Sequence, residues 1–349
     1  MPPRILFVVP SFNRAHDLPR TLTAIAAQRD AADIAILVVD NASTDGTAAV
    51  MIELRRTLPV PVTHHVKAPE GPTVARNLGL VRALEEGGPD ALVALVDSDV
   101  ELTPGWLAAA LAALSLDARL VQVAGPLVYA HAPDILNSYG GETGSLGLCW
   151  DRLEGEAATK AASPVSVGWI NTAAVLMRAG PVLEAGGFDT SFFYGYEEPD
   201  LGLRLARRGW GSRVVPAALA IHHVGISVAP SHPDIVFHYT KNRLRMGLKN
   251  FTPAHLGWWV PLSLAYGLLD ALLHQPRAAR LRALRHTMAD LPALWAARRR
   301  AHLAPNRGQY RFASSWFPPT RLRAQRRRVG PAQAEASAAP TTDDRVPRA

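Results

Sequence analysis

The chain has 349 residues, of which 48% are hydrophobic, 19% charged and 7% aromatic; this composition supplies a large core and excludes a disordered, collagen-like or disulfide-scaffold protein. A single cysteine, Cys149, rules out an internal disulfide or a thiolate metal cluster and fits a reducing compartment. The net charge of +7 belongs to the end of the chain: residues 274–349 hold 16 Arg, no Lys and 4 acids, a balance of +12 that leaves residues 1–273 at −5.

Before Pro10 there are only five consecutive apolar residues, Ile5 to Val9, too few for a signal-peptide core, and they read as a first strand. Up to about residue 125, aliphatic runs alternate with segments of helical period, the pattern of a parallel sheet with crossover helices. Strands are predicted at Ile5–Val9, Ala35–Val39, Pro61–His65, Ala91–Val96 and Leu120–Val123, and helices near 17–29, 46–57, 73–86 and 104–115. The last of these helices is expected to open on Thr103 as cap and Pro104 as first helical residue. Three strands run into polar clusters: Ser11-Phe12-Asn13-Arg14, Asp40 to Gly46, and Asp97-Ser98-Asp99. In open α/β sheets the ligand crevice lies beyond the carboxyl ends of the strands, so the three clusters are expected to face one site.

Between 126 and 168 the pattern weakens into glycine-rich loops and short strands. Structure resumes at Trp169–Arg178, followed by an amphipathic helix at Glu197–Arg208 and a strand at Ser212–Pro216 that leads to Ile221-His222-His223. Residues 256–273 are the most apolar stretch, 18 residues containing Pro261, Gly267 and Asp270, slightly short of the roughly 20 that span a bilayer. They read either as a helix lying in a membrane interface, with Trp258 and Trp259 at headgroup level, or as an ordinary buried helix; the Arg-rich flank favours the membrane. Beyond about residue 320 the composition predicts disorder. The expected division is a catalytic domain at 1–230, a helical membrane-associated extension at 231–310 and a basic, largely disordered tail at 311–349.

Asp97 and Asp99 emerge where a buried strand ends, and in an extended segment carboxylates at i and i+2 point to one side, close enough to share a divalent cation or to divide ribose and metal between them. Hard oxygen ligands of this kind suit Mg²⁺ or Mn²⁺; a solvated turn with capping aspartates is the plainer reading. Asp40 stands at another strand end as an acceptor for a base or ribose, or as a turn residue, and Asp45 reads as a turn residue. Gly71 to Asn77 opens a helix and brings the Arg76 guanidinium near the crevice, to meet a phosphate or base edge or to form a surface salt bridge.

The segments Val-Pro-Ser-Phe-Asn-Arg at 9–14, Val-Val-Asp-Asn-Ala-Ser-Thr-Asp-Gly-Thr at 38–47, Ala-Arg-Asn-Leu-Gly at 75–79, Val-Asp-Ser-Asp at 96–99, and Gly-Gly-Phe-Asp through Glu-Glu-Pro-Asp-Leu-Gly-Leu-Arg-Leu at 186–205 resemble, in order, the motifs of family 2 glycosyltransferases. The resemblance covers about residues 4–250 and is strongest to rhamnosyl- and galactofuranosyl-transferase-like members acting on bacterial surface glycans. It implies an α/β GT-A fold, Rossmann-like, with a mostly parallel mixed sheet flanked by helices, and a nucleotide-sugar donor, a divalent metal and inversion at the anomeric carbon. By position it puts Pro10, Phe12, Arg14, Asp40 and Arg76 around the nucleotide, and Asp97 and Asp99 at the metal and sugar diphosphate.

The family's catalytic base lies in a Glu-Asp-x-Asp-like segment, here Glu197-Glu198-Pro199-Asp200. Aligned on Leu201 and Arg204, Glu198 takes the place of the catalytic aspartate, one methylene longer; Glu197 and Asp200 remain alternatives, and acids dressing a helix N-terminus are a purely structural reading. His222-His223-Val224-Gly225-Ile226-Ser227 resembles the family's His-x-x-Gly-x-Ser segment, in which a histidine completes the metal site, and the spacing favours His222 over His223. Trp169 and Asn171 are assigned to the acceptor side or the donor sugar, with core packing as the alternative, and Tyr194 to core packing rather than the sugar. Tyr239 to Arg243 resembles a segment that follows the catalytic domain, either a phosphate contact or a basic helix face.

The implied protein is a peripheral enzyme at the cytoplasmic, inner face of the cell membrane, with a nucleotide-diphosphate sugar, a glycan or lipid-linked acceptor and an anionic membrane surface as partners. A sugar nucleotidyltransferase needs a Gly-rich phosphate loop with a Lys after the first strand, which Pro10 to Arg14 does not supply. A nucleic-acid binder is disfavoured by the acidic body and an Arg-rich tail with few aromatics. A membrane-associated scaffold that keeps the fold without activity is the remaining alternative.

Overall fold

The computed structural model describes residues 4–224, 231–302, 308, 310–315 and 317. The first half of the chain runs β1 (Ile5–Ser11), α1 (Leu18–Ala26), β2 (Ile34–Asp40), α2 (Thr47–Thr57), β3 (Val62–Val66), α3 (Pro72–Gly87), β4 (Leu92–Val96), β5 (Val100–Leu102), α4 (Trp106–Ser115) and β6 (Leu120–Ala124). The weakly patterned region holds five short strands, β7 (Leu127–Tyr129), β8 (Ala132–Ser138), β9 (Gly141–Thr143), β10 (Cys149–Asp151) and β11 (Val165–Val167). Then follow β12 (Ala174–Arg178), α5 (Ala179–Glu184), α6 (Glu197–Arg207), β13 (Gly211–Val214), β14 (Ala220–His222), and the helices α7 (Pro233–Asn250), α8 (Pro253–Leu273), α9 (Arg277–Ala289) and α10 (Leu291–His302).

The central sheet has the order β11-β13-β6-β12-β4-β1-β2-β3. The pairs β1 with β2, β1 with β4, β2 with β3 and β6 with β13 are parallel; β12 is antiparallel to both neighbours and β11 is antiparallel to β13. Both faces are covered, so the strands read as continuous apolar runs whose alternate residues serve two cores. Ile5, Phe7 and Val9 pack with residues of α1, α2 and α4, whereas Leu6 and Val8 pack with residues of α3, α5 and α6. Gly79 lets α3 lie directly on β1, since a Cβ there would fall 2.3 Å from the Val8 side chain.

The start of α4 differs from expectation. Thr103 is drawn toward the end of β14, its hydroxyl donating to the Leu219 carbonyl at 2.7 Å, and the helix begins only at Trp106. Its first turn is met instead by Gln28, which accepts from the Leu107 amide at 3.1 Å and donates to the Thr103 carbonyl at 3.1 Å. The predicted strand at Ser212–Pro216 is Gly211–Val214, and Ala220–His222 forms a further strand. That strand belongs to a second sheet, β5-β14-β7-β8, in which His222 lies opposite Val100.

The segment from Tyr239 to Arg243 is not a basic face toward solvent. Lys241, Arg243, Arg245 and Lys249 are buried where α7 meets its neighbours; Arg243 donates to the Leu146 carbonyl at 3.1 Å and to Ser263 at 3.2 Å and lies over the Trp259 and Tyr266 rings. Burial, reinforced by Arg245 and opposed by Asp290, lowers the Lys241 pKa to about 8. The expected start of the tail at 311 falls within a segment that packs on the body. Tyr310 donates to Thr143 at 2.9 Å, the Ala313 amide donates to the Thr143 carbonyl at 2.9 Å, and Phe312 meets Phe251 edge-on; aromatic burial holds this stretch where charge alone predicts none. The disorder expected beyond 320 lies outside the described residues.

Candidate active site

The ends of β1 and β2 are laced into one rim. Asn13, with φ of 52°, accepts from the Thr44 amide at 2.8 Å while its own amide donates to Ser43 at 2.8 Å, and the Ala15 amide donates to Asp45 at 3.1 Å. Asp45 also accepts from Thr47; burial raises its pKa, but the hydrogen bonds from Thr47 and Ala15 outweigh burial and leave it lowered. On this rim Phe12 is 45% exposed, free to stack on a flat ring, whereas Pro10 is buried inside β1 opposite Val39 and supports the loop from beneath. Asp40 is buried, its Oδ1 accepting from the Ser43 amide at 2.9 Å and hydroxyl at 2.6 Å, its Oδ2 facing His64 Nε2 at 3.1 Å. A carboxylate oxygen can accept more than one donor, so Asp40 is oriented by these partners and keeps accepting capacity.

Asp97, Ser98 and Asp99 form the turn between β4 and β5, pinned from behind by Thr21, which donates to the Ser98 carbonyl at 2.9 Å. The two aspartates diverge. Asp99 faces His222, Oδ1 to Nε2 at 3.4 Å, with Arg14 Nη2 3.8 Å from Oδ2. The β5–β14 register brings His222 there, and Asn137 meets its Nδ1 at 2.9 Å. Burial lowers the His222 pKa, but the hydrogen bond and charge of Asp99, with Asp97 and Asp151 behind it, outweigh burial and raise it. His223 points elsewhere, to Glu101 at 3.2 Å. Of the family-like segment beginning at His222, Gly225 to Ser227 lie outside the described residues.

Asp97 turns to Arg76, which donates to its Oδ1 at 3.1 Å and to Glu197 Oε1 at 3.3 Å. The guanidinium is therefore buried between two acidic side chains, the salt-bridge alternative in a buried form, from its seat at the start of the second turn of α3, over the Phe188 ring. Next to it, Asn77 donates to the Phe188 carbonyl at 2.7 Å and accepts from the Phe188 amide at 2.8 Å, clasping the Gly186–Asp189 loop to α3. Gly187, at φ of 60°, makes room: a Cβ there would stand 2.7 Å from Asn77 Oδ1.

The three acids at the start of α6 separate into distinct roles. Asp200 is fully buried, bonded to Arg204 Nε at 2.9 Å, Lys249 at 3.0 Å and Asn250 at 2.7 Å, so it is a structural anchor and not a base candidate. Lys249 also bonds Asp189 at 2.7 Å; against burial, this pair and Ser191 hold the Asp189 carboxyl well below the usual range. Glu198 is partly exposed and receives a 2.8 Å hydrogen bond from Thr172, a residue absent from the sequence-based site. Glu197 is buried, and burial together with the Glu198 charge pushes its pKa up to about 8 against the pull of Arg76.

The folded state thus keeps the Glu197 proton to higher pH than the unfolded chain, whose carboxyl titrates near 4.5. Stability carried by the protonated form is complete below about 4.5 and declines as pH rises toward about 8. Glu197→Gln is expected to flatten this decline, so that melting temperatures of variant and native protein diverge in the variant's favour across that window; parallel melting curves would refute it.

The acceptor-side assignments part in the same way. Trp169 is buried, its ring over Gly141, where a Cβ would come within 1.9 Å, and beside Gly202; it is a packing residue between β9 and α6. Asn171 accepts from the Ala173 amide at 3.0 Å and shapes the turn before Thr172. Tyr194, expected in the core, is 39% exposed, and with Tyr239 (47% exposed, ring centroids 5.9 Å apart) it flanks the start of α6. Among the described residues no three His, Cys, Asp or Glu side chains converge as a ready-made cation site; Asp99 and His222 bring one carboxylate and one imidazole within 3.4 Å, two donors of the kind a transition-metal dication accepts.

Comparison with known proteins fits this geometry. A family model described as glycosyltransferase like family 2 matches residues 2–247. Among curated relatives, N-acetylglucosaminyl-diphospho-decaprenol L-rhamnosyltransferase of Mycobacterium tuberculosis is 29% identical over 246 residues, covering 65% of this chain and 77% of the relative. Pre-mycofactocin glycosyltransferase of the same organism is 30% identical over 226 residues, covering 62% and 42%. Among solved structures, a mannosyltransferase of Pyrobaculum calidifontis in complex with GDP-Man and Mn²⁺ superposes with a TM-score of 0.50 at 18% identity, over 86% of each chain. TarS of S. aureus in complex with UDP-GlcNAc superposes at 0.52 and 16% identity, over 85% of this chain and 88% of that one. The order of the strands, the carboxylates at their ends and the match over two thirds of the sequence lead to one conclusion: the chain belongs to glycosyltransferase family 2 and has the GT-A fold.

Proposed function

We propose that the protein is an inverting, metal-dependent glycosyltransferase that moves a sugar from a nucleotide-diphosphate donor to a hydroxyl of a lipid-linked glycan, at the cytoplasmic face of a membrane. The observation that carries the reading is the Arg76 junction, which joins the strand-end carboxylate Asp97 to Glu197, the chain neighbour of Glu198. The nucleotide lies across Phe12, Arg14 and Asp40. Asp99 and His222 would hold a divalent cation, which would supply positive charge to neutralise the leaving diphosphate.

The acceptor oxygen attacks the anomeric carbon as the bond to the diphosphate breaks; the electron pair leaves with the diphosphate, and the hydroxyl proton passes to Glu198. Thr172 fixes the carboxylate's orientation, and the exposed faces of Tyr194 and Tyr239 offer a stacking surface for the acceptor sugar. The mycobacterial relative named for a diphospho-decaprenol acceptor supports a lipid-linked acceptor, and neighbours holding GDP-Man or UDP-GlcNAc support a nucleotide-sugar donor.

Calorimetry with UDP, dTDP and GDP, each with and without Mn²⁺, tests the reading. One nucleotide is expected to bind only with metal, and Asp99→Ala to weaken that binding at least about tenfold, the equivalent of one charge-assisted contact. If no nucleotide binds under any condition, the reading fails and a scaffold without activity takes its place.

A further inference from the structure

Helix α8 is long and apolar, 21 residues that include an 18-residue stretch with a mean hydropathy of 1.4, yet only 22% of that stretch is buried. The buried part is a single stripe at four-residue spacing, Trp259, Ser263, Gly267 and Ala271, one helical face. Around the rest, Trp258, Leu262, Leu268, Leu269, Leu272 and Leu273 are exposed, all between 40% and 66%. A soluble surface rarely exposes so many large apolar side chains contiguously.

The next two helices repeat the arrangement. On α9 the inner residues Ala279, Ala283 and Thr287 are buried, and Leu281, Arg285 and Met288 share the outer face. On α10 Leu294 and Arg298 are inside, and Leu291, Trp295 and Arg299 share the outer face. Each outer face therefore pairs two large apolar residues with an exposed guanidinium, the combination in which the aliphatic stem stays in apolar surroundings and the charge reaches phosphate. Residues 274–302 hold seven Arg and one acid, Asp290.

We infer that the outer faces of α8, α9 and α10 form a docking surface for an anionic lipid bilayer, in which these helices lie flat without crossing it. Spanning is opposed by the inner stripe of α8: Trp259 is seated on Gly247, Gly267 meets Leu284, and Ser263 accepts from buried Arg243 at 3.2 Å. Pulling the helix out to cross a bilayer breaks all three contacts. Asp270 is likewise held to the body side by Arg280. A second copy of the chain is a poorer occupant, because a two-fold interface brings two equally basic faces together. An anionic headgroup layer complements them.

The inference does not rest on the transferase reading, since vesicle binding needs no donor. The full chain is mixed with phosphatidylcholine vesicles, with and without phosphatidylglycerol, and floated on a density gradient. It is expected to float with the anionic vesicles and to be released as salt rises. Leu269→Asp with Leu272→Asp is expected to reduce partitioning about tenfold or more, and Arg285→Glu with Arg299→Glu about tenfold, selectively for the anionic vesicles. All four positions are on the outer faces, so melting temperature is expected to stay unchanged and to show that the variants fold. The inference is overturned if the native chain stays at the bottom with both vesicle types, if it floats equally well with both pairs of substitutions, or if it is a dimer that Leu269→Asp splits into monomers.

Discussion

Replacing Glu198 by glutamine is expected to lower sugar transfer by about a hundred- to ten-thousand-fold, the range in which a positioned general base contributes, while the affinity for nucleotide and metal stays unchanged. The amide is isosteric and still accepts the hydrogen bond from Thr172, so the geometry of α6 survives and only the ability to take a proton is lost. Separately measured turnover and nucleotide affinity check this. A fall in both together places Glu198 in donor binding instead. Glu197→Gln serves as the comparison: its carboxyl is buried against Arg76 and is expected to affect transfer far less than Glu198→Gln. If Glu197→Gln is the more damaging change, the two neighbours exchange roles.

The second large effect concerns stability. Asp200→Ala is expected to destabilise the fold by about 3–5 kcal/mol, the cost of breaking a buried ion pair by removing one partner, out of the roughly 5–15 kcal/mol that holds a domain folded. Arg204 keeps the Ala185 carbonyl at 2.6 Å, Lys249 keeps Asp189 and the Asn250 amide keeps the Met246 carbonyl at 3.0 Å, but each loses its bond to the buried carboxylate. Denaturant titration measures the loss directly. Asp200→Asn is expected to recover little, because a neutral amide leaves the Arg204 charge uncompensated. A small effect would mean that α6 and α7 can part, and that Asp200 is available for chemistry after all.

The strands of the first half are legible because buried parallel strands are written as uninterrupted aliphatic runs, and the polar clusters at their ends mark one site. The roles of the acids are not legible in the same way. Glu197, Glu198 and Asp200 look alike in sequence, and what separates them lies far along the chain: Arg76, 121 residues earlier, fixes Glu197, and Lys249, 49 residues later, buries Asp200. Trp169 offers the same lesson, since an aromatic near a sugar site suggests stacking, and only the missing Cβ of Gly141 reveals that its face is already covered. Thr172, His64 and Asn137 carry no motif; each is recognisable only once folding has brought it to Glu198, Asp40 or His222. Basic residues on α7 mislead in the opposite direction, because a run of Lys and Arg is usually solvated and here is inside.

The clasp between Asn77 and the backbone of Phe188 has a mechanical consequence. A side-chain amide that both gives to the carbonyl and takes from the amide of one residue imitates a neighbouring strand, so the loop leading toward α6 is stitched to α3 at Phe188. Aspartate at 77 lacks the donor and leucine lacks both halves, so neither can replace it. The loop that leads toward α6 and Glu198 is therefore tied at Phe188 to α3, which Gly79 in turn seats directly on β1.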